Sequence, residues 1–226
     1  MKILLKFPVR YRVEKFMKVL TMYRNTCTNP ENIILLVSLD SDDTEFSEWV
    51  VNSIYEVFPV TIVKRGQSNG KIDAVNRDIE DLKLQWDIVV VASDDMIPQV
   101  KGWDVEIIEK MPQDLDHVLF YNDGYCGSKL NTMCILGKTY YERFHYIYHP
   151  AYKSLWCDNE FMEVANMLGK QTYYNTCLFR HDHFANNKLL KPDRLMEHNQ
   201  SWYFQDAQTY QQRKLINFNI NVQPKQ

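Results

Sequence analysis

Residues 86–95 read WDIVVVASDD, and the fold of the chain turns on that stretch. Ile88, Val89, Val90, Val91 and Ala92 form an apolar run without polar alternation, the pattern of a strand covered on both faces in an α/β sheet. The run delivers two adjacent carboxylates, Asp94 and Asp95, and Pro98 follows. In open α/β sheets ligands bind beyond the carboxyl ends of the strands. No Lys or Arg stands between the run and Lys101, so the two acids repel one another unless a cation sits beside them. A divalent metal meets that need, because hard cations take carboxylate oxygens. The competing reading is a turn, since Asp is common where strands end.

Upstream, strands of the same type alternate with helices. Residues 3–7 are a short apolar strand stopped by Pro8, and Val13, Phe16, Leu20 and Tyr23 recur at the spacing of an amphipathic helix. Residues 33–39 are a second strand of the buried type, ending in Asp40, Asp42 and Asp43. Phe46, Val50, Ile54 and Val57 mark a helix, and residues 60–63 a third strand. After the loop GQSNG at 66–70, Ile72, Val75, Ile79 and Leu82 predict another helix. This βαβ series predicts a mostly parallel sheet with right-handed crossovers. In a doubly wound sheet the ends of the first, second and fourth strands lie along one edge, so their polar clusters converge.

Downstream of Asp95 the pattern changes. Trp103, Ile107, Ile108 and Met111 predict a helix ended by Pro112. Residues 117–121 and 132–136 read as strands on either side of an Asn122-Asp123-Gly124 turn. Phe161, Val164, Ala165 and Leu168 predict a helix with Gly169 at its end. Residues 173–179 predict a strand running into Arg180-His181-Asp182-His183, and the polar tail from Asn187 holds a helix near 206–216. No domain boundary is visible, so residues 1–226 read as a single α/β domain whose second half completes the sheet and adds a second binding surface.

Composition narrows the function. A net charge of −3, with both signs mixed along the chain, argues against a general nucleic-acid binder, which carries a basic stripe. The 14 Tyr, 11 Phe and 5 Trp suit sugar or base pockets, although most large aromatics are core. Five scattered Cys with no CxxC pair read as reduced thiols in a cytoplasmic protein rather than a disulfide frame or a zinc site. The apolar run at the N-terminus is too short for a signal peptide, and no span reaches transmembrane length.

Polar clusters fall at the predicted ends: Asp40 to Asp43, Lys71 through Arg77, Ser93-Asp94-Asp95, Asp158-Asn159-Glu160, and the pair His181 and His183. Each has an ordinary reading. Asp42 or Asp43 suits an N-cap, Lys71 and Arg77 suit a solvated helix face, and Asp158 and Glu160 suit the first turn of a helix. His181 and His183 share one side of an extended strand, which suits a metal or a plain surface.

As a set, these pieces resemble the GT-A glycosyltransferases, and within them glycosyltransferase family 2. The matching stretches are FPVRYRVEKFMKVL, LLVSLDSDD, GQSNGKIDAVNRDI and the DxD-type element in VVVASDDMIP, followed by Gly102-Trp103. The likeness continues through YHPAYKSLWCDNEFMEVANMLGK and FRHDHF, over roughly residues 2–185. It implies a three-layer α/β/α sandwich with a mostly parallel central sheet, residues 1–100 binding the donor and 101–226 the acceptor. The element reads SDD instead of a strict DxD, and Cys157 stands where the family often has Glu.

The resemblance also implies roles. Asp40 sits against the nucleobase of a UDP- or GDP-sugar, with Pro8 and Arg10 near the nucleoside. Lys71 and Arg77 approach the base, ribose or diphosphate, and Asp94 faces the ribose or sugar. Asp95 and His181 hold Mn2+ or Mg2+, with His183 beside them. Asp158 matches the general base of inverting members. An acid opening a helix gains from its dipole, which is expected to lower the pKa. Glu160 points about 200° round the helix and is the lesser partner, holding the acceptor, a glycan or another hydroxyl compound. Two rivals remain: a nucleotidyltransferase, which needs a Gly-rich basic loop after the first strand where FPVRYR has no Gly, and a non-catalytic nucleotide- or glycan-binding module. GQSNGK lacks the spacing of a P-loop.

Overall fold

A computed structural model describes residues 1–183 and 191–220, so the start of the polar tail at 187–190 lies outside the described residues. The first four strands are β1 (Ile3–Val9), β2 (Ile33–Asp40), β3 (Val60–Gly66) and β4 (Ile88–Val91). Between them lie α1 (Val13–Thr26), α2 (Glu48–Tyr55) and α3 (Lys71–Asn76). There follow β5 (Met96–Pro98), α4 (Trp103–Lys110), β6 (Val118–Tyr121), β7 (Ile135–Gly137) and α5 (Lys138–Tyr141). The chain continues through α6 (Cys157–Met167), β8 (Gln171–Tyr174), β9 (Phe179–His181), α7 (Arg194–Ser201) and α8 (Tyr203–Leu215).

One seven-stranded sheet runs in the order β3-β2-β1-β4-β7-β6-β8. β1 to β4 are parallel, β7 runs against both β4 and β6, and β8 is parallel to β6. Every residue of β2 is buried, the apolar run at 33–37 together with the polar Ser38 and Asp40. Phe16, Leu20, Val50, Ile54, Trp103 and Ile107 of α1, α2 and α4 pack with Leu5, Leu35 and Val90 on one face. Ile72, Tyr140, Phe161 and Tyr210 of α3, α5, α6 and α8 pack with Leu4, Leu36 and Val89 on the other. The result is the three-layer α/β/α sandwich. Among the described residues no helix is long and apolar enough to cross a membrane.

Three expectations are corrected. Pro8 does not stop β1: the strand continues to Val9 and pairs Pro8 with Ser38. Lys6 turns its carbonyl to Ala92 N–H, so the period of two turns the Pro8 nitrogen to the same side, where β4 has already ended at Val91. α3 stops at Asn76 although Ile79 and Leu82 continue its apolar period. Arg77 there is extended and Asp78 left-handed, because the Arg77 carbonyl accepts from Lys6 Nζ (2.8 Å) and Asp78 Oδ2 from Ser38 (2.5 Å). The strand expected over 173–179 is two strands in two sheets: β8 closes the main sheet, and β9 pairs antiparallel with β5.

Candidate active site

The carboxyl edge of β1, β2 and β3 gathers the first group. Asp40, the last residue of β2, is 5% exposed and receives Arg10 Nη1 at 2.5 Å, while Arg10 Nη2 reaches Asp42 at 2.7 Å. Arg77 donates to the Leu39 carbonyl at 2.6 Å and stands 3.8 Å from Asp40 and 3.1 Å from Asp78. Asp40 Oδ1 is buried and makes no hydrogen bond among the described residues. The acids after β2 do not cap α2; Ser47 does, accepting from Val50 N–H. Asp43 instead accepts from Tyr11 N–H at 2.6 Å and Glu45 N–H at 3.0 Å. Tyr11 and Arg12 are both left-handed (φ 59° and 56°), a conformation costing roughly 1–2 kcal/mol per residue, and the Asp43 bond holds that turn.

The turn aims Arg12 at Asp94. Arg12 Nη1 lies 3.2 and 3.4 Å from the two Asp94 oxygens, Lys15 Nζ lies 3.5 Å away, and Arg12 Nη2 reaches Asp193 at 2.6 Å. The cations absent from the local sequence around Asp94 therefore come from the turn before α1 and from its first turn. Burial and the neighbouring Asp95 nonetheless raise the Asp94 pKa more than these cations lower it.

Asp95 belongs to a different set. Its Oδ1 accepts from Ser93 Oγ, and its Oδ2 stands 3.7 Å from His181 Nε2. His181 is there because β5 and β9 pair Met96 with His181, a register locked by Asp182 N–H donating to the Asp95 carbonyl at 2.8 Å. On its other side His181 Nδ1 is 3.7 Å from Asp123 Oδ2, an ion-pair distance longer than a formed hydrogen bond. Burial works against a charged imidazole, but Asp123 and Asp95 outweigh it and raise the His181 pKa to about 9. His183 lies with its ring 5.4 Å from that of His181, and burial pushes its pKa down to about 4.

A carboxylate oxygen and an imidazole nitrogen 3.7 Å apart fit within the roughly 4 Å that two metal–ligand bonds of about 2.1 Å span. Among the described residues no group of three or more His, Cys, Asp or Glu is arranged to hold an ion. An ion held by this pair alone would leave its remaining positions to water and phosphate oxygens.

Asp158 opens α6, with Asn159 N–H donating to its Oδ1 at 3.0 Å. The expectation of a lowered pKa is reversed: burial raises it, and the charge of Lys71 only partly offsets that. Lys71 also acts on Asp95, His181 and His183, and the charge of His181 acts on Asp158, so these side chains share one electrostatic neighbourhood. Glu160 is not brought into it. It is 4% exposed and bonded to Arg213 by two contacts of 2.7 Å and to Tyr152 Oη at 2.7 Å, on the far side of α6.

Asp123 escaped the sequence reading, which took it for a hairpin turn. It is 3% exposed and accepts from Tyr125 N–H, Cys126 N–H and Thr132 Oγ while facing His181. An acid two places after a strand ending in Phe120 and Tyr121, with a Gly after it, was the available signal.

No family model matches the sequence, and no curated protein matches it. Solved structures do. The mannosyltransferase PcManGT from Pyrobaculum calidifontis, in complex with GDP-Man and Mn2+, superposes with a TM-score of 0.64 at 11% identity, covering 99% of this chain and 76% of that one. TarS of S. aureus gives 0.62 at 12% identity, covering 98% and 76%. A Drosophila galactosyltransferase 7 mutant, in complex with manganese, UDP-Gal and xylobiose, gives 0.54 at 12% identity, covering 88% and 79%. The chain has the GT-A fold of these glycosyltransferases.

Proposed function

We propose that the protein is a metal-dependent glycosyltransferase that moves a sugar from a nucleoside-diphosphate donor to an acceptor hydroxyl with inversion. The observation that carries this reading is the grouping of the Asp95–His181 pair and Asp158 around Lys71, at the carboxyl edge of a parallel sheet. The fold's relatives support the donor class, being described with GDP-Man and Mn2+, with UDP-Gal and manganese and, for TarS, with UDP-GlcNAc.

Pro8, Arg10 and Asp40 receive the nucleoside, and the unused Asp40 oxygen accepts an N–H of the base. Lys71 and Arg77 approach the ribose and diphosphate. Asp94, already neutralised by Arg12 and Lys15, accepts sugar or ribose hydroxyls without adding a bare charge beside the phosphates. Asp95 and His181, with His183 beside them, would hold Mn2+ or Mg2+. When bound, the ion neutralises charge on the leaving diphosphate. Asp158 takes the proton of the acceptor hydroxyl as its oxygen bonds to the anomeric carbon and the bond to the diphosphate breaks. Its raised pKa makes it a stronger base than a solvent-exposed carboxylate. Glu160 fastens α6 and takes no part at the acceptor.

A thermal-shift assay with UDP and GDP, with and without Mn2+, tests the reading, together with release of nucleoside diphosphate from UDP-GlcNAc, UDP-Gal and GDP-Man. Ligand at a hundred times its Kd adds about 2.7 kcal/mol, or roughly 5–10 °C in Tm for a chain of this size. That shift is expected with Mn2+, to be lost in Asp95→Ala and reduced less in His181→Ala. Equal shifts with and without the ion would count against the metal site, and pyrophosphate release from a nucleoside triphosphate would favour a nucleotidyltransferase.

A further inference from the structure

We infer that Asp206, on the C-terminal helix α8, is a positioning residue that sets the place of both Asp158 and Lys71; the inference rests on the proposed role of Asp158 as base. Asp206 is fully buried and spends its whole carboxylate on backbone. Oδ1 accepts from Lys153 N–H at 3.0 Å, and Oδ2 accepts from Ser154 N–H and Leu155 N–H at 2.8 Å each. Those three residues lead directly into α6, whose second residue is Asp158.

The start of α6 has no side-chain N-cap. Its cap residue, Trp156, is left-handed (φ 62°). An aromatic residue in that region is strained and persists only where its surroundings over-determine it. α8 supplies those surroundings. The Trp156 ring packs against Tyr203 and Tyr210 at centroid distances of 5.6 and 5.3 Å, and one turn further Arg213 holds Glu160. The same loop braces the other half of the site. The Lys153 carbonyl accepts from Ile72 N–H at 3.3 Å, and Gly70 packs so closely that a Cβ there would stand 3.1 Å from it. One carboxylate thus fixes the loop from which both α6 and the first turn of α3 take their positions.

A displacement of about 1 Å at a reacting group costs up to roughly a hundredfold in rate. The test uses the full chain, and the donor it turns over best among UDP-GlcNAc, UDP-Gal and GDP-Man. In Asp206→Asn, turnover per Mn2+–nucleotide binding site, counted by calorimetric titration with UDP or GDP, is expected to fall tenfold or more. The Kd of that nucleotide should rise by less than turnover falls, since Lys71 approaches the diphosphate while Pro8 and Asp40, which receive the nucleoside, lie on β1 and β2. Val50→Ala, a core truncation in α2, serves as the stability control: it lowers Tm and leaves turnover per site unchanged. Should Asp206→Asn fail to fold, Asp206→Glu keeps the charge, shifts the carboxylate by one methylene, and is expected to lose turnover as well. Amide exchange at 154–155 should quicken in either variant. Turnover per site or amide exchange equal to wild type would overturn the inference and leave the function standing. Full turnover in Asp158→Asn would overturn both.

Discussion

The strands of the first half and the loops around the site bury charge in opposite ways. Along β1, β2 and the end of α3, buried polar side chains bond to one another: Lys6 to Ser38, Ser38 to Asp78, Asp78 to Arg77, and Arg77 beside Asp40, which holds Arg10. In the second half, Asp123 and Asp206 bond mainly to backbone, accepting two and three amides respectively. The difference follows from topology. Parallel strands satisfy their own N–H and C=O groups, which frees side chains at the strand ends for each other and for ligand. Loops that enter the site without ladders carry unpaired amides, and an unpaired buried amide costs about 1–3 kcal/mol, so a carboxylate fills the gap. Asp158 stands where the two regimes meet. Its helix is backed by the second kind of contact, and its proposed role as base draws on Lys71 and the Asp95–His181 pair.

The largest effect should come from that meeting point. Asp158→Asn keeps shape and removes the proposed base, so transfer is expected to fall on the order of 10²-fold or more, the range for a lost general base. Mn2+-dependent binding of UDP or GDP should stay within a few-fold by calorimetry. Wild-type transfer in a folded Asp158→Asn protein would end its role as base, and with it the reading that the second half supplies the acceptor chemistry.

Asp123 gives the next effect. It stands 3.7 Å from the other imidazole nitrogen of His181, as near as Asp95 is to the first, and partners of that kind commonly carry 10- to 100-fold in metal affinity. Asp123→Asn should weaken Mn2+ by roughly that factor, read by the free-Mn2+ electron paramagnetic resonance signal in the presence of UDP or GDP. Thr132→Val, which strips only one contact to Asp123, should cost less. Unchanged affinity in Asp123→Asn would make its carboxylate a loop fastener alone, like Asp206 in kind but without a ligand to position.

These residues also mark where the sequence stops being legible. β1 to β4, the acids at their ends and the helices between them were readable, because a buried parallel strand is an unbroken apolar run and a covering helix keeps its period. Asp95 and Asp158 stand out in the sequence as candidates for the same reason, lying at a strand end and a helix start. Asp206 does not, since its partners at 153–155 are main-chain groups that any residue would offer. β5 and β9 are three residues each, too short to show alternation, and their pairing is what brings His181 to Asp95. Glu160 looked like a site residue because it sits two places from Asp158, while Arg213, its true partner, lies 53 residues away. α3 ended early because Lys6 and Ser38 claimed Arg77 and Asp78, an override by distant residues that no local period records.

The smallest effect tests the first half's side-chain chain on its own. Lys6 is fully buried in β1, and burial lowers its pKa from 10.5 to about 7, with Asp78 pulling the other way. A lysine whose pKa falls on folding stabilises fully above its unfolded value, and that share is lost as pH drops through the folded one. Between about pH 7 and 10.5 the unfolded chain therefore holds a proton that the folded chain has released, and stability rises with pH. The slope for one group is at most about 1.4 kcal/mol per pH unit, or roughly 3–5 °C in Tm. Lys6→Met carries no such proton and fills a similar volume. The Tm difference between wild type and Lys6→Met should thus move in favour of wild type as pH is raised from 7 toward 9.5, with turnover measured at one pH as a check on the donor pocket. Parallel Tm curves would mean that Lys6 stays charged in the fold, held by Ser38 and the Arg77 carbonyl as a cation, and that the first half buries a true charge instead of a neutral amine.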